Sequence, residues 1–120
     1  MQEFQLGVVE RRFAELIWRH APIASGELTR LAQEALGWKK STTYTVLKRL
    51  CEKGLFANEG GLVSCRMDQQ EFYAAQSEHF VEQTFGGSLP AFLAAFTSRK
   101  ALTAEEVDQL RRMVAQYEEG

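Results

Sequence analysis

Apolar positions recur at helical spacing from the start of the chain. Residues 8–20 place Val9, Phe13, Leu16 and Ile17 on one face, with Trp18 beside them, and predict a first helix. Gly7 suits its N-cap, and Glu10 falls where a carboxylate meets the positive end of the helix dipole. Ala21-Pro22-Ile23-Ala24 breaks the pattern. Ser25 then opens a second helix to about Leu36, with Leu28, Leu31, Ala32 and Ala35 apolar, and Gly37 ends it. A third helix runs from about Ser41 to Lys53 and buries Thr43, Val46, Leu47 and Leu50, with Gly54 past its end. Its opposite face carries Ser41, Tyr44, Thr45, Lys48 and Glu52. The β-branched residues in its first turns lower helix propensity, so its helical state depends on packing against the first two helices.

The period then changes. Leu55-Phe56-Ala57 and Leu62-Val63-Ser64-Cys65-Arg66 flank Asn58-Glu59-Gly60-Gly61, which predicts a hairpin. Asp68 with Glu71 is a capping-box pair opening a helix that ends at Gly86-Gly87. Ser88 suits the cap of a short helix to about Arg99, and Thr103 with Glu106 opens a last one to about Tyr117. Helix, helix, helix, hairpin is the order of a winged helix-turn-helix. The fold is therefore expected to be mainly α, with a winged-helix domain at 1–67 and a three-helix arm at 68–120. Five of the eight Phe lie in the arm, which has little local core, so a second copy of the chain is its expected partner. Phe72, Phe80, Phe92 and Phe96 are the expected dimer contacts.

The 120 residues suffice for one small domain with an appendage and are too few for a dinucleotide-binding fold with a substrate domain. No apolar run resembles a membrane span or signal peptide, and two cysteines suit a reducing, cytoplasmic setting. The net charge of −2 names neither a nucleic acid nor a membrane as partner, but its distribution is uneven. Residues 1–60 hold nine Lys and Arg against seven Asp and Glu, and residues 61–120 hold five against nine. Lys39, Lys40, Lys48, Arg49 and Lys53 cluster around the third helix, opposed only by Glu52. That is an electrostatic footprint worth following, as a nucleic-acid contact would leave one.

In a helix-turn-helix the second helix of the motif enters the major groove. Ser41, Thr42, Tyr44 and Thr45 offer hydrogen bonds and methyl groups to base edges, while Lys39, Lys40 and Lys48 suit phosphates. Arg49 suits a phosphate or a guanine edge. The bland reading of the same residues is a solvated basic face. The wing holds no Lys or Arg in Asn58-Glu59-Gly60-Gly61, and Glu59 would repel a phosphate; it is either structural or approaches the minor groove by backbone alone. Catalytic, cofactor and metal sites find no support. His20 and His79 lie in no ligand motif, and Cys51 and Cys65 read as buried small hydrophobes before they read as a redox pair.

These residues resemble the penicillinase repressor and methicillin-resistance repressor family of bacterial transcriptional regulators, which also includes copper-responsive repressors. The likeness is carried by Glu10 and Leu16-Ile17-Trp18, and by the run Ser41 to Leu50 followed by Glu52-Lys53-Gly54-Leu55. Phe85-Gly86-Gly87-Ser88-Leu89 with Leu93 and Phe96, and Leu102-Thr103 with Glu105, Glu106 and Leu110, carry it through the arm. The resemblance implies a homodimer on double-stranded operator DNA that represses transcription of an antibiotic-resistance or stress operon. It implies DNA contacts at Thr42, Tyr44, Thr45 and Arg49, and dimer contacts in the C-terminal helices. In the antibiotic-resistance members an inducing protease cleaves the arm, at the bond corresponding to Ala95-Phe96; those members have Asn where this chain has Ala95. The copper-responsive members' C-terminal cysteine cluster has no counterpart in Glu118-Glu119-Gly120, so copper sensing is not expected. The wing departs too, since family members usually have basic residues and a Tyr there. The rival reading is a winged-helix protein-interaction module without specific DNA binding.

Overall fold

In the computed structural model, which describes residues 6–119, the chain order is α1 Val8–His20, β1 Ile23–Ala24, α2 Ser25–Leu36, α3 Lys40–Glu52, β2 Phe56–Glu59, β3 Leu62–Cys65, α4 Gln69–Phe85, α5 Leu89–Arg99 and α6 Ala104–Glu119. The molecule is mainly helical, with one small antiparallel sheet ordered β1-β3-β2. It divides into two compact units, one through His79 and one from Phe80.

The first unit is a winged helix. α1 buries Phe13, Ala14, Leu16 and Ile17, α2 buries Leu28 and Ala32, and α3 buries Thr43, Val46, Leu47 and Leu50. Thr43 is the buried polar member, and its hydroxyl is satisfied by donating to the Lys39 carbonyl at 3.2 Å. Val9, expected inward, is half exposed, because the buried stripe of α1 begins one turn later, at Phe13. Gly60 and Gly61 both take positive φ (60° and 84°), as a two-residue primed turn requires, and its twist matches the strands it joins. Asn58 faces Val63 and Glu59 faces Leu62 across that turn.

The sheet has a strand the pattern did not predict. Ile23 and Ala24 pair with Val63 and Leu62, so the segment that breaks the helices is itself β structure. Cys65, expected buried, is exposed as the last residue of β3.

The start of α4 belongs to this unit's core. The Trp18 indole N–H donates to the Met67 carbonyl at 2.9 Å and fixes where α4 begins. Trp18 then packs on Phe56, Phe72 and Tyr73 with ring centroids 5.5, 5.6 and 6.2 Å away. Phe72 is 0% exposed, so it has no surface left for a second chain, contrary to the expected dimer role. The predicted capping box is formed. The Asp68 N–H donates to Glu71 Oε1 at 2.9 Å, and the Glu71 N–H donates to Asp68 Oδ1 at 2.8 Å.

The second unit is different in kind. Neither α5 nor α6 contains a buried residue. Phe80, Phe85, Phe92 and Phe96 form a ring cluster with centroids 5.7–6.1 Å apart, yet Phe80 and Phe96 remain 48% and 43% exposed. Caps define its helix starts: the Ala91 N–H donates to Ser88 Oγ, and the Thr103–Glu106 pair makes both capping-box bonds.

Candidate nucleic-acid interface

α3 starts without a side-chain cap. Lys39 holds its N-cap position in an extended conformation, and Lys40, Ser41 and Thr42 follow, all exposed. The first N–H groups of a helix have no intrahelical acceptor, so an uncapped start flanked by lysines offers hydrogen bonds and positive charge to a phosphate. Thr45 and Lys48 are exposed further along the helix. The Thr45 hydroxyl donates to the Ser41 carbonyl at 2.9 Å. Its proton is thus turned inward, leaving the methyl and the oxygen lone pairs as the outward recognition groups.

Two expected contacts have protein partners of their own. Tyr44 is half-buried, and its hydroxyl donates to Ser25 Oγ at 3.0 Å. The Ser25 N–H in turn donates to the Gly61 carbonyl at 2.8 Å. Tyr44 therefore anchors α3 to the start of α2, which is itself bonded to the wing turn; it does not point outward from the helix. Arg49 is on the exposed face, but Nη1 lies 3.1 Å from Glu10 Oε2 on α1. Lys53 Nζ lies 3.7 Å from the other carboxylate oxygen, which also accepts the Gly7 N–H at 3.1 Å.

Burial of Glu10 opposes its charged form. The Gly7 N–H, the Arg49 hydrogen bond and the charges of Lys53 and Arg49 outweigh that, and hold the carboxyl below its ordinary value. A carboxyl more acidic in the folded than in the unfolded chain contributes stability that is fully present above the unfolded value. That stability is lost as pH falls through the folded value. Thermal midpoints measured from about pH 7 to about pH 3 will therefore fall less steeply for Glu10→Gln than for the wild type. The difference at neutral pH is expected to be about 1 kcal/mol or less.

The wing adds no positive charge. Asn58, Glu59, Gly60 and Gly61 are all exposed, and Arg66 lies just past β3. Cys51 is half-buried, Cys65 is exposed, and both are free thiols. Desolvation, only partial at the exposed Cys65, raises both thiols above their ordinary range, assisted by Glu52 and Asp68 respectively, so neither is primed as a thiolate. Among the described residues no group of three or more His, Cys, Asp or Glu is placed to hold a metal ion, and no helix is long and apolar enough to cross a membrane. Ala95 and Phe96 lie exposed within α5.

Sequence reasoning missed two participants. Ser25 reads as a helix cap, but it holds Tyr44. Glu10 reads as a dipole partner, but it reaches across to α3.

An exposed, uncapped, lysine-flanked helix on a winged-helix core is a geometry for DNA, and comparison with known proteins agrees. The family model described as "Penicillinase repressor" matches residues 6–116. The Penicillinase repressor of Bacillus licheniformis is 23% identical over 117 residues, covering 94% of this chain and 91% of that protein. The chain thus belongs to the penicillinase repressor family, whose members are DNA-binding transcriptional repressors and not enzymes.

Proposed function

We propose that the chain is a homodimeric repressor that binds a pseudo-palindromic operator through α3 and blocks transcription of an antibiotic-resistance or stress operon. The observation that carries this is the exposed start of α3, which has no side-chain cap among the described residues and lies beside Lys39, Lys40 and Lys48, in a chain of net charge −2. Residues 1–67 form the DNA-binding domain in this reading, and residues 68–120 form the dimer arm, with the first turns of α4 rooted in the winged-helix core. The repressor acts in the cytoplasm, where the DNA is. Ser41, Thr42 and Thr45 face base edges, while Lys39, Lys40 and Lys48 position the phosphate backbone. Tyr44 acts on this interface through the seating of α3. The wing, lacking basic residues, supports the sheet. Derepression by cleavage at Ala95-Phe96 requires α5 to unwind first, since proteases cut exposed, poorly structured segments in preference to helix interiors.

The roles of Thr45 and Lys48 separate in binding measurements. The probes are a duplex selected from a random-sequence pool by the full-length protein and a scrambled version of it. Thr45→Ala will weaken the selected duplex by roughly 1–3 kcal/mol and leave the scrambled one nearly unchanged. Lys48→Ala will weaken both alike and lower the salt slope by about one contact. If neither substitution moves either affinity, α3 is not the reader. The exposed Glu59 and Leu62 of the wing would then favour a protein-interaction module.

A further inference from the structure

The Glu10 carboxylate sits beside the proposed reading face without belonging to it. Thr42, Thr45 and Arg49 recur along α3 at helical spacing, so Arg49 lies on the same stripe as the two threonines. Its side chain is 52% exposed, whereas that of Glu10 is 19% exposed. The contact uses one terminal nitrogen, Nη1, and among the described residues Nε and Nη2 have no protein partner. Glu10 is itself fixed. One oxygen takes the Gly7 N–H and faces Lys53, and the other takes Arg49.

From this arrangement we infer that Glu10 is a positioning residue for DNA recognition, gripping one arm of the Arg49 guanidinium so that the other arm is presented to DNA beside Thr42 and Thr45. The inference rests on the reading of α3 as the DNA-binding helix. A long arginine side chain loses rotamer freedom when it makes a directional contact, and its planar fork allows two partners at once. A guanidinium already held by a carboxylate has lost that freedom before DNA arrives, so less binding energy goes into ordering it. A lysine ammonium has three donors but no planar fork, so it cannot hold one partner while presenting a second arm in a fixed direction.

The experiment is a double-mutant cycle on the full-length protein, with the same selected and scrambled duplexes. Glu10→Gln and Arg49→Gln are each expected to weaken the selected duplex roughly tenfold, within the range for one good contact. The double variant is expected to be no weaker than Arg49→Gln by more than about twofold, since a positioning residue has nothing left to position. Lys48→Ala is expected to multiply with Glu10→Gln, which confines the coupling to Arg49. Arg49→Lys is expected to behave like Arg49→Gln. A structural tie alone would weaken selected and scrambled duplexes in proportion, in Glu10→Gln and Arg49→Gln alike. That result, a roughly hundredfold loss in the double variant, or wild-type binding by Arg49→Lys overturns the inference. If Glu10→Gln fails to fold by circular dichroism, Arg49→Lys decides alone, because its exposed position spares the core. The failures are distinguishable. Loss of the Lys48→Ala effect on the scrambled duplex, or no enriched duplex at all, overturns the DNA reading and this inference with it. An intact Lys48→Ala effect with independent Glu10 and Arg49 overturns only the role of Glu10.

Discussion

Phe72→Ala will destabilise the winged-helix unit by about 3–5 kcal/mol, the cost of emptying a buried aromatic site. The ring is 0% exposed and packs against Trp18 and Tyr73 with centroids 5.6 and 5.7 Å away. Its neighbours cannot easily collapse into the gap, because Trp18 is tied by its indole N–H to the Met67 carbonyl and also packs on Phe56. A small domain has only about 5–15 kcal/mol of stability in total, so the loss is a large part of it. Urea denaturation followed by tryptophan fluorescence reads the effect directly, since Trp18 lies against the substituted side chain. Phe96→Ala is the control: partly exposed in the second unit, it is expected to change the winged-helix transition by less than about 0.5 kcal/mol. A Phe72→Ala protein with an unchanged urea midpoint and a weakened dimer would return Phe72 to the interface and remove it from the core.

Phe72 also shows where sequence reading stops. The elements with local signals were legible: three helix starts from their capping residues, the hairpin from Gly60-Gly61, and the buried stripes of α1, α2 and α3 from their period. What depends on distant partners was not. β1 is a two-residue strand whose pairing partners, Val63 and Leu62, lie far along the chain, and two residues show no alternation. Tyr44 borders both faces of α3, and only the presence of Ser25 on α2 draws its hydroxyl inward. Arg49 reads as a free cation until Glu10, 39 residues earlier, is brought beside it. The Phe content of residues 68–120 suggested one aromatic arm, whereas the first turns of α4 close the winged-helix core and only the later rings belong to the exposed unit. The candidate site was legible as a helix and a charge cluster. Which of its side chains face outward was decided by tertiary neighbours.

Those later rings carry the second large expected effect. Sedimentation equilibrium at micromolar protein will show a dimer, and the pair of substitutions Phe96→Glu and Val114→Glu will convert it to a monomer. The motivation is an unusual distribution of apolar surface. α5 and α6 bury no residue within the chain, and Leu89, Met113, Val114 and Tyr117 are all well exposed. Leu102, Val107, Leu110 and Val114 line a groove of about 390 Å³ along α6. Surfaces of this kind on a soluble protein are normally covered, and a stable interface of roughly 1,200–2,000 Å² would bring such helices together across a two-fold axis. A carboxylate placed at each position would be buried without a partner, which costs far more than the lost contact. The consequence extends to DNA. In a dimer the second α3 meets its half-site as an intramolecular event, and avidity of that kind multiplies affinity by about 10²–10⁴. The monomeric variant should therefore bind the full operator no better than a half-site, while its salt slope on one half-site stays that of the wild-type α3. A wild-type chain that is monomeric throughout the micromolar range, or a doubly substituted chain that remains a dimer, would show that the arm's exposed apolar surface serves something other than self-association.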